Sequence, residues 1–166
     1  MRGSGPGPDP GNRSAAGVDL VTPARWWRPL RIAVVVGIFV FLAIQVVPYG
    51  WWHQNPPVQA AAVWPEATAE AAARAACYDC HSHETRWPLY SYVAPMSWLV
   101  RRDVEEGRDE LNFSDWDPGD ADDAVETILD GEMPPGRYTM IHRDASLSDE
   151  QIDALIAALR QMEQDD

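Results

Sequence analysis

Glu66-Ala67-Thr68-Ala69-Glu70-Ala71-Ala72-Ala73-Arg74-Ala75-Ala76-Cys77-Tyr78-Asp79-Cys80-His81 is an Ala-rich run that ends in the chain's only two cysteines, followed at once by a histidine. Acids open the run and Arg74 lies near its end, the order a helix dipole favours, so the stretch predicts a helix from Glu66 to Cys80. Two thiols separated by two residues on helical backbone stand on one turn, with the imidazole next in line. The rest of the chain is read outward from this turn.

Cys-x-x-Cys-His is the spacing of a c-type haem attachment site. The two thiols add across the two haem vinyl groups, and the adjacent imidazole then falls beneath the iron as proximal ligand. Cys77, Cys80 and His81 are therefore the candidate haem-binding residues, for one covalent haem c. Three other uses of the pair compete. A thioredoxin-type dithiol normally sits at a strand–helix junction, which is not the pattern here. A zinc site would need His81, His83 and His142 to complete it. A structural disulfide requires an oxidising compartment.

Downstream, Met96 to Arg108 predicts a second helix ended at or soon after Gly107, and Asp120 to Asp130 a third, closed by Gly131 and Pro134-Pro135. Ser148 with Gln151 has the form of a capping box. Ile152, Leu155, Ile156, Leu159 and Met162 then recur at helical spacing on one face. No alternation is long enough for a sheet, so the fold class is all-α.

Upstream, residues 1–24 are rich in Gly, Pro and Ser without hydrophobic period and are expected to be a disordered cytoplasmic tail. Ile32 to Val47 is an apolar run broken only by Gln45, and from Trp26 it is long enough to cross a bilayer. Trp26, Trp27, Tyr49, Trp51 and Trp52 bracket it like interfacial belts. Residues 25–48 are thus expected to be a single transmembrane anchor. Five Arg precede the apolar run and none follows it before Arg74, which puts the N-terminus in the cytoplasm and the rest outside. A cleaved signal peptide is the alternative. Residues 49–65 read as a linker or stalk that also covers part of the domain, and residues 66–166 as the haem-binding domain.

The formal net charge is −13, and after residue 31 eight Arg face 24 acids. Such a surface does not suit nucleic acid and does suit a basic redox partner. The runs at 103–106 and 120–123 are most simply solvated helix faces. Neither a phosphate-binding glycine loop, nor a Ser/His/Asp triad, nor a catalytic carboxylate pair stands out, so an enzyme is not expected.

The stretch from Cys77 to Trp116, with Arg86-Trp87-Pro88, Ser97-Trp98 and Asn112-Phe113-Ser114-Asp115-Trp116, resembles the haem-binding domain family of bacterial membrane-anchored c-type cytochromes. The likeness extends over about residues 50–165. Gly131-Glu132-Met133-Pro134-Pro135, followed by the terminal amphipathic helix, is similar to the second half of class I cytochromes c. That resemblance implies a small cytochrome c-like domain in which Met133 is the distal iron ligand and the last helix packs across the attachment helix. The Trp- and acid-rich stretch between residues 86 and 120 departs from the ordinary cytochrome pattern.

Met96, Met140, His142, His83 and Met162 are the other distal candidates, Met162 standing on the apolar face of the last helix and His53 reading as a polar linker residue. Arg86, Trp87 and Tyr90 are placed to meet the haem propionates. The expected role is single-electron transfer with redox partner proteins, such as membrane respiratory components, outside the cytoplasmic membrane. The alternative is a haem-based sensor or small-gas binder with an open distal site.

Overall fold

The structure is a computed structural model that describes Gly3 and residues 24–164. The expectation for the tail before Ala24 lies outside the described residues. Two units are distinguished, one ending at Val40 and one running from Phe41 onward. The described residues are helical and hold no strand, only an isolated bridge between Ala60 and Asp115.

Helix α1 spans Ala24–Gln45, and within it Trp27–Gln45 has a mean hydropathy of 2.0. By length and composition this helix could cross a membrane, and a signal sequence near an N-terminus would have the same character.

The helical domain follows the predicted order with one correction. The helix expected from Glu66 to Cys80 breaks at Cys77: α2 spans Ala67–Ala76, and Tyr78–His81 forms a separate turn, α3. The break lets α3 bury residues on both its sides. Tyr78 stacks on Phe113 at 5.1 Å and takes a hydrogen bond from Trp64 Nε1 at 2.9 Å, while Asp79 turns toward Arg86 and Tyr138. Helix α4 spans Met96–Glu110 and ends soon after Gly107, as expected.

After a 3₁₀ turn at Pro118–Asp120 come α5 (Ala121–Leu129), a short α6 (Gly136–Ile141) not foreseen from sequence, and α7 (Asp149–Gln164). The capping box forms as read: Ser148 Oγ accepts from Gln151 N at 3.3 Å, and Gln151 Oε1 accepts from Ser148 N at 2.9 Å. Leu155, Ile156, Leu159 and Met162 are buried. Their partner is α2, whose Ala69, Ala72, Ala73 and Ala76 present a stripe of small side chains at helical spacing, and α5. The terminal helix thus crosses the attachment helix, as the resemblance implies. Burying a leucine such as Leu155 or Leu159 contributes roughly 1.5–3 kcal/mol.

Residues 53–64 lie along the domain. Gln59 N and Ala60 N donate to Ser114 O at 2.9 and 3.1 Å, Ala62 N to Phe113 O at 2.9 Å, and Trp116 N to Ala60 O at 2.8 Å. Phe113 N also reaches back to His81 O at 2.8 Å. The segment Asn112–Trp116 is therefore the joint between linker and attachment turn.

Candidate haem-attachment site

Helix α2 delivers Cys77 to the break, where Cys77 N donates to Ala73 O at 2.8 Å. The Cys77 carbonyl then accepts from Cys80 N at 3.0 Å and His81 N at 2.9 Å, which closes one turn carrying both thiols and the imidazole. Residues three and four apart share a helix face, so Cys77, Cys80 and His81 are neighbours on one surface. The turn is held from outside by α4. At Gly107 an added Cβ would stand 2.9 Å from Cys80 O, so only glycine lets α4 lie this close.

His81 Nδ1 lies 3.2 Å from Leu111 O. A carbonyl can only accept, so Nδ1 carries the proton and the Nε2 lone pair is left for a metal. This is the usual arrangement behind a ligating histidine, where the second bond fixes tautomer and ring direction. Burial holds the His81 pKa below its ordinary value, which favours the neutral, ligating form.

Both cysteines are free thiols and partly exposed. Burial pushes Cys77 up to about 12, with Cys80 adding to the effect, and pushes Cys80 up to about 11, helped by Asp103 and Asp79. Such thiols stay protonated at neutral pH and lack the thiolate character of an exchange dithiol. Nor is a zinc site assembled, since no group of three or more His, Cys, Asp or Glu among the described residues is arranged to hold a metal ion. The donor set on this turn, two neutral thiols and one aimed imidazole, fits thioether attachment of a haem with axial ligation by His81.

Asp79, inside the motif, was not singled out from sequence. Its carboxylate accepts from Arg86 Nε and Nη2, both at 3.2 Å, from Arg86 N at 3.0 Å, and from the Tyr138 hydroxyl at 2.8 Å. Arg137 pairs with Asp103 of α4 at 3.0 Å. Helix α6 is thereby tied to the attachment turn through one residue and to α4 through the next. Arg86, Trp87 and Tyr90, read as propionate contacts, have protein partners here: Asp79, Asn55 Oδ1 at 3.1 Å and His142 Nε2 at 2.8 Å respectively.

The distal candidates separate by environment. Both ring nitrogens of His83 are engaged, Nδ1 with Pro57 O and Nε2 with the Asn112 amide, each at 3.0 Å. His142 is bonded to Tyr90 and stacked on Tyr138 at 4.3 Å. Met162 is buried on α7, and His53 is bonded to Ser91. Met96 and Met140 are exposed, Met140 to 83%. Met133 lies beyond α5 with its N–H on Thr127 O at 3.2 Å; it and Met96 are each 37% exposed, so neither thioether is consumed in the core and exposure does not separate the two.

A family model described as a haem-binding domain matches residues 39–161. No curated protein and no solved structure matches the chain.

Proposed function

We propose a function from the premise that this chain belongs to the haem-binding domain family: it is a membrane-anchored c-type cytochrome that passes single electrons outside the cytoplasmic membrane. Cys77 and Cys80 hold one haem c covalently. Their thiols would form the two thioether bonds by addition to the haem vinyl groups, a step that needs no oxidant. His81 supplies Nε2 as proximal ligand and Met133 supplies its thioether as distal ligand. The bound haem contributes a reversible one-electron change at iron, and the protein tunes it by ligand choice and burial.

The observation that carries this reading is the His81 Nδ1 to Leu111 O bond on the same closed turn that carries Cys77 and Cys80. Helix α1 is read as a retained anchor, with the five Arg up to Arg31 keeping the N-terminus inside. The acidic domain suits a basic redox partner, fed by a membrane-bound donor. No substrate is transformed by the chain itself.

Optical spectra of the reduced wild type and of Met133→Ala test the ligand set. The wild type is expected to be low-spin and indifferent to carbon monoxide, and Met133→Ala to become high-spin and bind it. Ready carbon monoxide binding by the wild type would overturn the electron-transfer reading in favour of an open-site sensor.

A further inference from the structure

Gln45, the one polar break in the apolar run, makes two bonds to one backbone position: Nε2 donates to Ala94 O at 3.1 Å and Oε1 accepts from Ala94 N at 3.0 Å. Five residues on, Gly50 has φ +86° and lies so close to α4 that an added Cβ would stand 2.7 Å from Ser97 O. Residues 94–97 are therefore seated against the last turn of α1 and the chain just beyond it.

The residues flanking that seat are apolar and exposed. Leu89 is 88% and Tyr92 59% exposed, three apart on the 3₁₀ turn Leu89–Tyr92 and so on one side of it. Val93 follows, and Met96 and Leu99, both exposed, share a side of α4. Exposed apolar side chains gathered on two successive turns mark an interaction surface, and this group is set apart from the other exposed apolar residues, such as Val63, Leu129 and Met140, by its place next to the end of α1.

Charge identifies the occupant. No acid occurs between Glu84 and Asp103 nor between Asp19 and Glu66, and the arginines of the first stretch are each paired with an acid from outside it, Arg86 with Asp79, Arg101 with Glu105 and Arg102 with Glu106. A chain with twice as many acids as bases has thus cleared them from both segments that meet at Gln45 and Ala94. Anionic headgroups repel unpaired carboxylates, so a stretch that carries none can lie against the bilayer, and Tyr and Trp favour the headgroup level.

We propose that Leu89, Tyr92, Val93, Met96 and Leu99 form a second membrane contact, resting in the interfacial layer of the bilayer that α1 crosses. The proposal rests on the reading of α1 as a retained span. It fixes the attachment domain at the membrane surface, where it meets a lipid-soluble or membrane-bound electron donor.

The test places the full-length protein in vesicles of phosphatidylcholine and phosphatidylglycerol. These include a phospholipid with a photoactivatable diazirine high in its acyl chain, and labelled peptides are mapped by mass spectrometry. Label is expected in residues 41–47 and 89–99. In Leu89→Asp/Met96→Asp the 89–99 label should fall roughly tenfold, since carboxylates are costly in the bilayer, while the 41–47 label and the far-ultraviolet circular dichroism stay unchanged.

Label in 41–47 with none in 89–99 overturns the proposal and leaves the anchor standing. No label in either overturns the anchor reading and the proposal together. Absence of 89–99 label from lipid vesicles, with crosslinking of 89–99 to a protein in native membranes, overturns it in favour of a protein partner.

Discussion

Asp79 is enclosed by the chain's own groups, with Arg86 on one side and the Tyr138 hydroxyl on the other. Hydrogen bonds to charged groups contribute roughly 1.5–3 kcal/mol, and Arg86 would keep part of the pairing, so Tyr138→Phe should cost about 1.5 kcal/mol in urea denaturation. Burial first, then Asp79, raises the Tyr138 pKa above the ordinary 10.0. The unfolded chain therefore releases this proton before the folded one does. The stabilisation is complete below pH 10 and is lost as pH rises further, so the wild-type urea midpoint should fall on the alkaline side. Tyr138→Phe should fall less steeply, retaining the contribution of Tyr78 and Tyr90, whose values are also raised by burial. Equal slopes would remove Tyr138 from the account.

Gly107 makes a second argument at this scale. Its neighbours within 3.2 Å of a new Cβ are the carbonyl oxygen, carbonyl carbon and Cβ of Cys80, which cannot swing aside. Gly107→Ala should cost about 1–3 kcal/mol by overpacking. Gly136→Ala, with nothing within 4 Å, serves as the neutral control. Similar melting temperatures for the two variants would contradict the close approach of α4.

Among the elements, α7 was the most legible from sequence because what specifies it is local: a capping box and a run of apolar residues at helical spacing. Ser148→Ala should cost about 1 kcal/mol and Leu159→Ala 2–5 kcal/mol in thermal or urea denaturation, and a neutral Leu159→Ala would contradict the packing of α7 on α2. The break at Cys77 was not legible, because Tyr78 is drawn inward by Trp64 and Phe113 from elsewhere in the chain. Helix α6 was missed for a related reason. It has no buried residue and so no apolar period to read, and it is held by Tyr138 and Arg137 reaching other helices. The end of α4 soon after Gly107 was legible, but the further role of Gly107, to admit Cys80, was not, because it depends on a residue from another helix. Of the site, the motif itself was visible as spacing. The Leu111 carbonyl that aims His81 lies thirty residues away and carries no side-chain signal.

For the molecule as a whole, the family places haem at the centre of function, and the chain arranges its charges around that. Just past α1, Tyr49 donates to Glu105, which also pairs with Arg101, so the charges next to the helix end are matched. An anchored chain should stay in the membrane pellet after alkaline carbonate extraction, and release into the supernatant would identify α1 as a cleaved leader. The most direct test of the central claim is the intact mass of the purified protein under denaturing conditions. The wild type should carry the added mass of one haem and Cys77→Ala/Cys80→Ala should not. A wild-type chain at its apoprotein mass, its haem lost on denaturation, would contradict covalent attachment at Cys77 and Cys80.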